Sequence, residues 1–299
     1  MSRNRPTTIG EMKARLRRFR SSESVRRALA FKPRRDDLFI SPYAKCGTTW
    51  MEQIVHGIRT RGSMRFDEIT EVIPWIEMAY DMGVNPDGNQ VADPRVFKSH
   101  LSWDQIPKGA RYICIIRNPA DVLVSLYHFF EGWFFEAGSI TLEEFAREEF
   151  MERTATRSYW SHLTSWWPQR DRPDVLMLCY EHMLPDLPGA VRRVAEFLDI
   201  ALHPGNARIV ETQSSIDFMR AHERQFDDHL VRSARDPACG LPTGADTTKV
   251  RRSGTRERSD LPGGEIMSEL DRIWRREISS RFGLMDYQHM CNRLKINSG

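Results

Sequence analysis

The sequence predicts an α/β fold: a single domain built on a central, mostly parallel sheet flanked by helices. Three observations predict it. Short apolar runs alternate with segments of helical periodicity, as parallel strands joined by crossover helices require. One run, Arg111-Tyr112-Ile113-Cys114-Ile115-Ile116, is nearly continuous in apolar residues, as suits a strand buried on both faces. The chain has 299 residues, 40% of them apolar, and no convincing linker, so residues 1–299 read as one domain with a substantial core.

The elements follow in order. Residues 1–35 form a basic N-terminal segment with twelve Lys or Arg against two Glu, a local charge of +10, while the whole chain carries +3. Its stretch Lys13–Arg20 suits a solvated helix that packs a few apolar residues on the domain. Weak contact with an acidic membrane surface is the second reading. Nucleic acid is disfavoured because no aromatic platform accompanies the charge. The strands are expected at 38–41, 96–99, 111–116 and 175–179. Helices are expected to start at Thr48, at Pro119 behind an Asn118 cap, near Leu142, near Arg157 and near Pro188. Val191, Val194, Ala195 and Leu198 recur at helical spacing and read as core. Residues from about 221 to 248 are polar and turn-rich, with Asp236-Pro237 and Gly240-Leu241-Pro242-Thr243-Gly244, and read as a mobile lid-like loop. Helical periodicity returns from Gly264 to Phe282 and closes the domain.

Composition narrows the function classes. No apolar run approaches the roughly 18 residues that span a bilayer, and the N-terminus lacks the apolar core of a secretory signal. Five cysteines (Cys46, Cys114, Cys179, Cys239 and Cys291) are scattered and free of C-x-x-C pairs. They are expected to be reduced thiols in a cytoplasmic protein without a zinc site.

Residues 41–50, Ser-Pro-Tyr-Ala-Lys-Cys-Gly-Thr-Thr-Trp, carry the chemistry. An apolar run (Leu38-Phe39-Ile40) precedes them, and Trp50, Met51, Ile54, Val55 and Ile58 then share one helical face. Strand, tight loop and helix N-terminus in that order cradle an anion, because the first helical N–H groups lack backbone partners and the dipole favours negative charge. Lys45 adds an ammonium, and Thr48 and Thr49 add hydroxyl donors. Two phosphate loops fail on single residues. In the nucleoside-triphosphatase pattern lysine follows the glycine, whereas here Lys45 precedes Gly47 and Thr48 takes lysine's place. The cysteine-phosphatase pattern C-x5-R meets Glu52 where arginine is needed.

What remains resembles the 5′-phosphosulfate-binding loop of sulfotransferases that use 3′-phosphoadenosine 5′-phosphosulfate (PAPS), usually Tyr-Pro-Lys-Ser-Gly-Thr-Thr-Trp. Lys45, Gly47, Thr48, Thr49 and Trp50 match, while Ala44 and Cys46 replace proline and serine. Phe97-Lys98-Ser99-His100-Leu101 is similar to the family's Lys-Thr-His-Leu segment, whose histidine is the catalytic base. Arg117-Asn118-Pro119-Ala120-Asp121, with Ser125 two helical turns on, resembles the element that grips the 3′-phosphate. Tyr180 ends a strand as the family's adenine-side tyrosine does, though His182 replaces the usual acidic or amide residue. Ser214 falls where the family has a hydroxyl near the adenine. Arg251, Arg252, Ser253 and Gly254 resemble a late phosphate clamp, with glycine one place later than usual.

The resemblance implies a P-loop-like α/β fold with PAPS as sulfuryl donor and no metal. It implies in-line transfer to a hydroxyl of a small apolar or lipid-like acceptor. His100 takes the proton, Lys45 steadies the leaving group, and Lys98 stabilises the transferring group. Trp75, Met78, Tyr80, Phe129, Trp133, Phe134 and Phe135 are candidates for an acceptor pocket. Cys46, in a cationic loop at a helix N-terminus, is expected to be reactive. The rival readings are a Mg-dependent nucleotide phosphotransferase and a non-catalytic nucleotide or membrane-surface binder. The residues leave oligomeric state open.

Overall fold

The computed structural model describes residues 4–152, 158–243 and 262–296. Its sheet has four parallel strands: β1 (Leu38–Ile40), β2 (Val96–Lys98), β3 (Arg111–Ile116) and β4 (Val175–Cys179), in the order β2-β1-β3-β4. The expected strands are all present. Two end a residue early, yet Ser99 N still donates to Ile40 O and Ser41 N to Ile113 O, so the ladder runs on into the loops. The chain leaves β1 for β2 on one side and returns to β3 on the other. Sheets of this kind open a ligand crevice at the carboxyl edge beside such a switch point.

In the N-terminal part, α1 (Ile9–Leu16) and α2 (Ser22–Ala30) precede the sheet. Between β1 and β2 lie α3 (Thr48–Thr60) and the short α4 (Ile69–Val72). After β3 come α5 (Pro119–Trp133), α6 (Leu142–Phe145) and α7 (Tyr159–Trp166). Beyond β4 follow α8 (Tyr180–Met183), α9 (Leu187–Phe197), α10 (Pro204–Gln213) and α11 (Ile216–Ala221). The remainder is α12 (His229–Cys239), α13 (Gly264–Trp274), α14 (Ser280–Phe282) and α15 (Tyr287–Ile296).

The strand pleat sorts the core into two layers. Phe39, Phe97, Tyr112 and Cys114 face one layer, shared with α1, α5, α7, α13 and α15. Leu38, Ile40, Val96, Ile113 and Ile115 face the other, shared with α3, α9 and α10. The basic N-terminal segment packs on the domain, burying Ile9, Met12 and Phe19. Several of its cations serve internal contacts: Arg15 Nη1 donates to Gly240 O at 2.8 Å, and Lys13 pairs with Glu152.

Two expectations are corrected. Residues 221–243 are not a lid-like loop: a 3₁₀ turn at Glu223–Phe226 leads into α12, and Val231 and Cys239 lie in the core. The expected 244–248 portion lies outside the described residues. The helix escapes an apolar-periodicity reading because polar pairs make much of its docking. Trp133 Nε1 donates to Asp236 Oδ1 at 2.7 Å, the Arg232 guanidinium lies 5.2 Å from the Trp133 ring, and Arg235 Nε donates to Phe19 O at 2.8 Å. Nor are all the cysteines reduced thiols. Cys179 and Cys291 form a disulfide across 112 positions, while Cys46, Cys114 and Cys239 are free. Sequence spacing offers no sign of so distant a partner.

The amino ends of β1 and β2 are tied by a buried bidentate pair. Arg95 Nε and Nη2 donate to Asp37 Oδ1 and Oδ2 at 2.8 and 2.6 Å, with side chains 3% and 2% exposed. Removing one partner of such a pair strands the other charge. Asp37→Ala is expected to cost about 3–5 kcal/mol in urea denaturation. A loss no larger than the ~1 kcal/mol of an exposed pair contradicts the assignment.

Candidate active site

The site is built where β1, β3 and β4 release the chain. After β1 the backbone turns through two left-handed residues, Lys45 (φ 67°) and Gly47 (φ 95°), into α3. Among the described residues no side chain caps α3, which leaves its first amides for a ligand. Gly47 is required twice over. Its φ suits glycine, and a Cβ there would sit 2.9 Å from Tyr180 Cδ2. Tyr180, the first residue after β4, in turn lies under the Arg117 guanidinium at 4.3 Å and meets the edge of Trp50 at 5.5 Å. Arg117 Nη1 donates to Lys45 O at 2.9 Å, which binds the end of β3 to the loop after β1. Trp50 Nε1 donates to Ser214 O at 2.7 Å, bringing the end of α10 to the same place.

Gly47, Thr48, Trp50, Arg117, Tyr180 and Ser214 therefore converge as expected. Thr49 and Lys45 are partly exposed beside them, and Lys45 Nζ lies 4.4 Å over the Phe129 ring. Ser125 is partly exposed two turns into α5. Arg251, Arg252, Ser253 and Gly254 lie outside the described residues. Thr48 Oγ1, Arg117 Nε and Ser214 Oγ are buried polar atoms without partners among the described residues. Buried donors of this kind call for a ligand. An open helix N-terminus, a guanidinium over an aromatic ring and these donors fit a phosphorylated adenosine.

Cys46 departs from expectation. Its side chain is buried, and burial pushes the thiol pKa up, against a smaller opposing pull from Arg117. Desolvation of a thiolate here outweighs the cationic loop.

His100 stands just past the end of β2. Its Nδ1 lies 2.8 Å from Pro42 O. A carbonyl can only accept, so Nδ1 carries the proton and Nε2 keeps its lone pair. The His100 backbone N–H donates to Glu77 Oε1 at 2.8 Å, and Trp75 packs edge-on at 5.2 Å. Burial, then the Lys98 charge, hold the imidazole pKa well below its ordinary value, with the Pro42 carbonyl opposing. Lys98 is itself buried behind Trp75, 4.7 Å from that ring and 3.7 Å from Asp228 Oδ1. Burial disfavours its charge, but the charges of Asp228, Glu52, Glu68 and Glu77 outweigh it and raise the ammonium pKa.

An aromatic wall adjoins His100. Phe19 packs against Trp75, Trp133 and Phe134 at 6.1, 5.4 and 5.4 Å, and Phe129 meets Trp133 at 5.5 Å. Three expected pocket residues make none of these ring contacts. Tyr80 is 49% exposed under Arg27, while Met78 and Phe135 are fully buried, Phe135 against Tyr127 and Phe145. Sequence reasoning missed Pro42, Glu77 and Phe19. Pro42 acts through its carbonyl, which has no residue signature. Glu77 and Phe19 reach the site only through tertiary packing. Glu181 accepts from Asn118 N at 2.9 Å and so holds the turn into α5.

The family model for the sulfotransferase domain matches residues 35–254, a span that includes every residue named for the site except Phe19. The chain belongs to the sulfotransferase family. It is 32% identical over 200 residues to Sulfotransferase 2A2 of Rattus norvegicus, 64% of this chain and 68% of that protein. It is 30% identical over 212 residues to Sulfotransferase 2A1 of Homo sapiens, 68% and 73% respectively. Among solved structures, a mouse sulfotransferase complexed with PAP shares the fold, with TM-score 0.67 at 20% identity over 93% of this chain and 94% of that one. This sulfotransferase is thus an enzyme of sulfuryl transfer, and the loop at 41–50 leads from β1 into α3. Because Cys46 is buried in that loop, brief iodoacetamide treatment of the folded enzyme is expected to leave it unmodified in a peptide mass map. Labelling as fast as in urea contradicts the geometry.

Proposed function

We propose that this sulfotransferase moves the sulfuryl group of PAPS to a hydroxyl of a small apolar or lipid-like acceptor, with His100 as general base. The observation that carries the reading is the Nδ1 contact of His100 with Pro42 O, which commits Nε2 to accept a proton beside an aromatic wall. PAPS, when bound, supplies the electrophilic sulfur. Arg117, Tyr180, Trp50 and the first amides of α3 hold its adenosine bisphosphate part, with Thr48 and Thr49 adding hydroxyl bonds. Lys45 steadies charge on the departing phosphate side. Lys98, paired with Asp228, holds positive charge near His100 and keeps the base neutral. Ser125 and Ser214 line the nucleotide end, and Arg251, Arg252, Ser253 and Gly254 complete the phosphate clamp. Positioning and preorganised charge supply the rate.

The acceptor class follows from the apolar wall of Phe19, Trp75, Phe129, Trp133 and Phe134. A relative 30% identical over 200 residues is named 3-beta-hydroxysteroid sulfotransferase, and a fold neighbour was solved with androsterone and PAP. A steroid-like alcohol or phenol suits such a wall.

The test uses labelled PAPS, a panel of hydroxyl compounds and 3′,5′-bisphosphoadenosine (PAP). His100→Ala is expected to lower kcat by about 10²–10⁴, while PAP still raises the melting temperature of the variant and ATP with Mg²⁺ does not. Near-parental turnover removes His100 from the base role. The depressed pKa also sets the pH profile: the base stays neutral as pH falls through the ordinary histidine range near 6.5, so activity persists there and drops only below it. An acid limb centred at or above about 6.5 contradicts this.

A further inference from the structure

The disulfide sits against the nucleotide edge. Cys179 is the last residue of β4, and its partner Cys291 lies on α15 with the Cα atoms 5.9 Å apart. The two residues after Cys179 are Tyr180, which supports Gly47 and Arg117, and Glu181, which holds Asn118. Glu181 Oε2 accepts from Tyr287 Oη, also on α15, and lies 3.3 Å from the Cys179 sulfur. Thus α15 holds Cys179 covalently and Glu181 through a partly buried hydrogen bond, one on each side of Tyr180. The partly exposed His182 completes a group whose ligand atoms all lie within 4.8 Å. The other three cysteines remain thiols.

We propose that Cys179 and Cys291 are an oxidation site, closed by low-molecular-weight disulfides such as oxidised glutathione, whose bond preorganises the nucleotide pocket. This rests on the nucleotide reading above. In the reduced protein Glu181 accepts the Cys179 proton. The Cys179 thiolate attacks one sulfur of the oxidant and expels a thiolate, which takes up a proton as a thiol. The Cys291 thiol then loses its proton, attacks Cys179 of the mixed disulfide as the thiolate and expels the second thiolate, which takes that proton up. Two protein thiols and one disulfide oxidant give one protein disulfide and two free thiols. Both sulfurs are buried, so closure by the oxidant and reduction alike take place only when α15 loosens. A freed 179–181 edge must be ordered again at each binding event, which weakens affinity.

The full chain is compared as oxidised by glutathione disulfide, as reduced by a phosphine, and as reoxidised, with Cys291→Ser alongside. Differential alkylation reports the bond, and calorimetry reports PAP affinity. The reduced protein and the variant are expected to bind PAP about tenfold more weakly than the oxidised protein (about 1.4 kcal/mol), and reoxidation restores the parent only. Equal affinity in both states overturns the proposal and leaves the nucleotide reading intact. Absence of PAP binding in every state overturns both. Failure of glutathione disulfide to close the pair, or stoichiometric zinc held by the reduced Cys179, His182 and Cys291, also overturns it. The reduction and reoxidation arm needs no variant, so it stands even where Cys291→Ser fails to fold.

Discussion

The site depends on a contact that only glycine permits: the Tyr180 ring resting on the backbone of Gly47, where a Cβ would approach to 2.9 Å. That contact lets the strand end at β4 close over the loop after β1. Arg117 then lies over the same ring and bonds the Lys45 carbonyl, so β3 joins the assembly. Three strand ends, each weakly constrained alone, fix one another. Packing and hydrogen bonding of this reciprocal kind hold a left-handed lysine in place, which an isolated loop resists.

A second balance governs His100, the proposed base. His100 is useful only while neutral, and its neighbours keep it so. Burial raises the cost of protonation, and Lys98 stands close enough to repel a second positive charge. Lys98 is affordable in the interior because Asp228 and the glutamates around it favour its ammonium form. The proposed base thus depends on a buried ion cluster, to which Asp228, the residue that precedes α12, contributes.

Much of this was legible in the residues, for physical reasons. Strand runs such as 111–116 and the Asn118-Pro119 helix start obey local rules that the tertiary structure has no cause to override. The loop at 41–50 was legible because anion binding at a helix N-terminus needs a particular local order of glycine, cation and hydroxyl. Other features depended on distant partners. The helix His229–Cys239 hid because polar contacts to Trp133 and to the N-terminal segment do part of the work of an apolar stripe. Cys46 was misjudged because local charge suggests a low pKa while depth, invisible in sequence, raises it. The Cys179–Cys291 bond joins residues that no spacing rule pairs.

The central claim is that closure of Tyr180 over Gly47 creates the nucleotide pocket. Calorimetric titration of Gly47→Ala with 3′,5′-bisphosphoadenosine tests it most directly. The added methyl must displace the ring, so binding is expected to be lost while cooperative thermal unfolding persists. A folded Gly47→Ala enzyme that binds the bisphosphate as tightly as the parent contradicts the account.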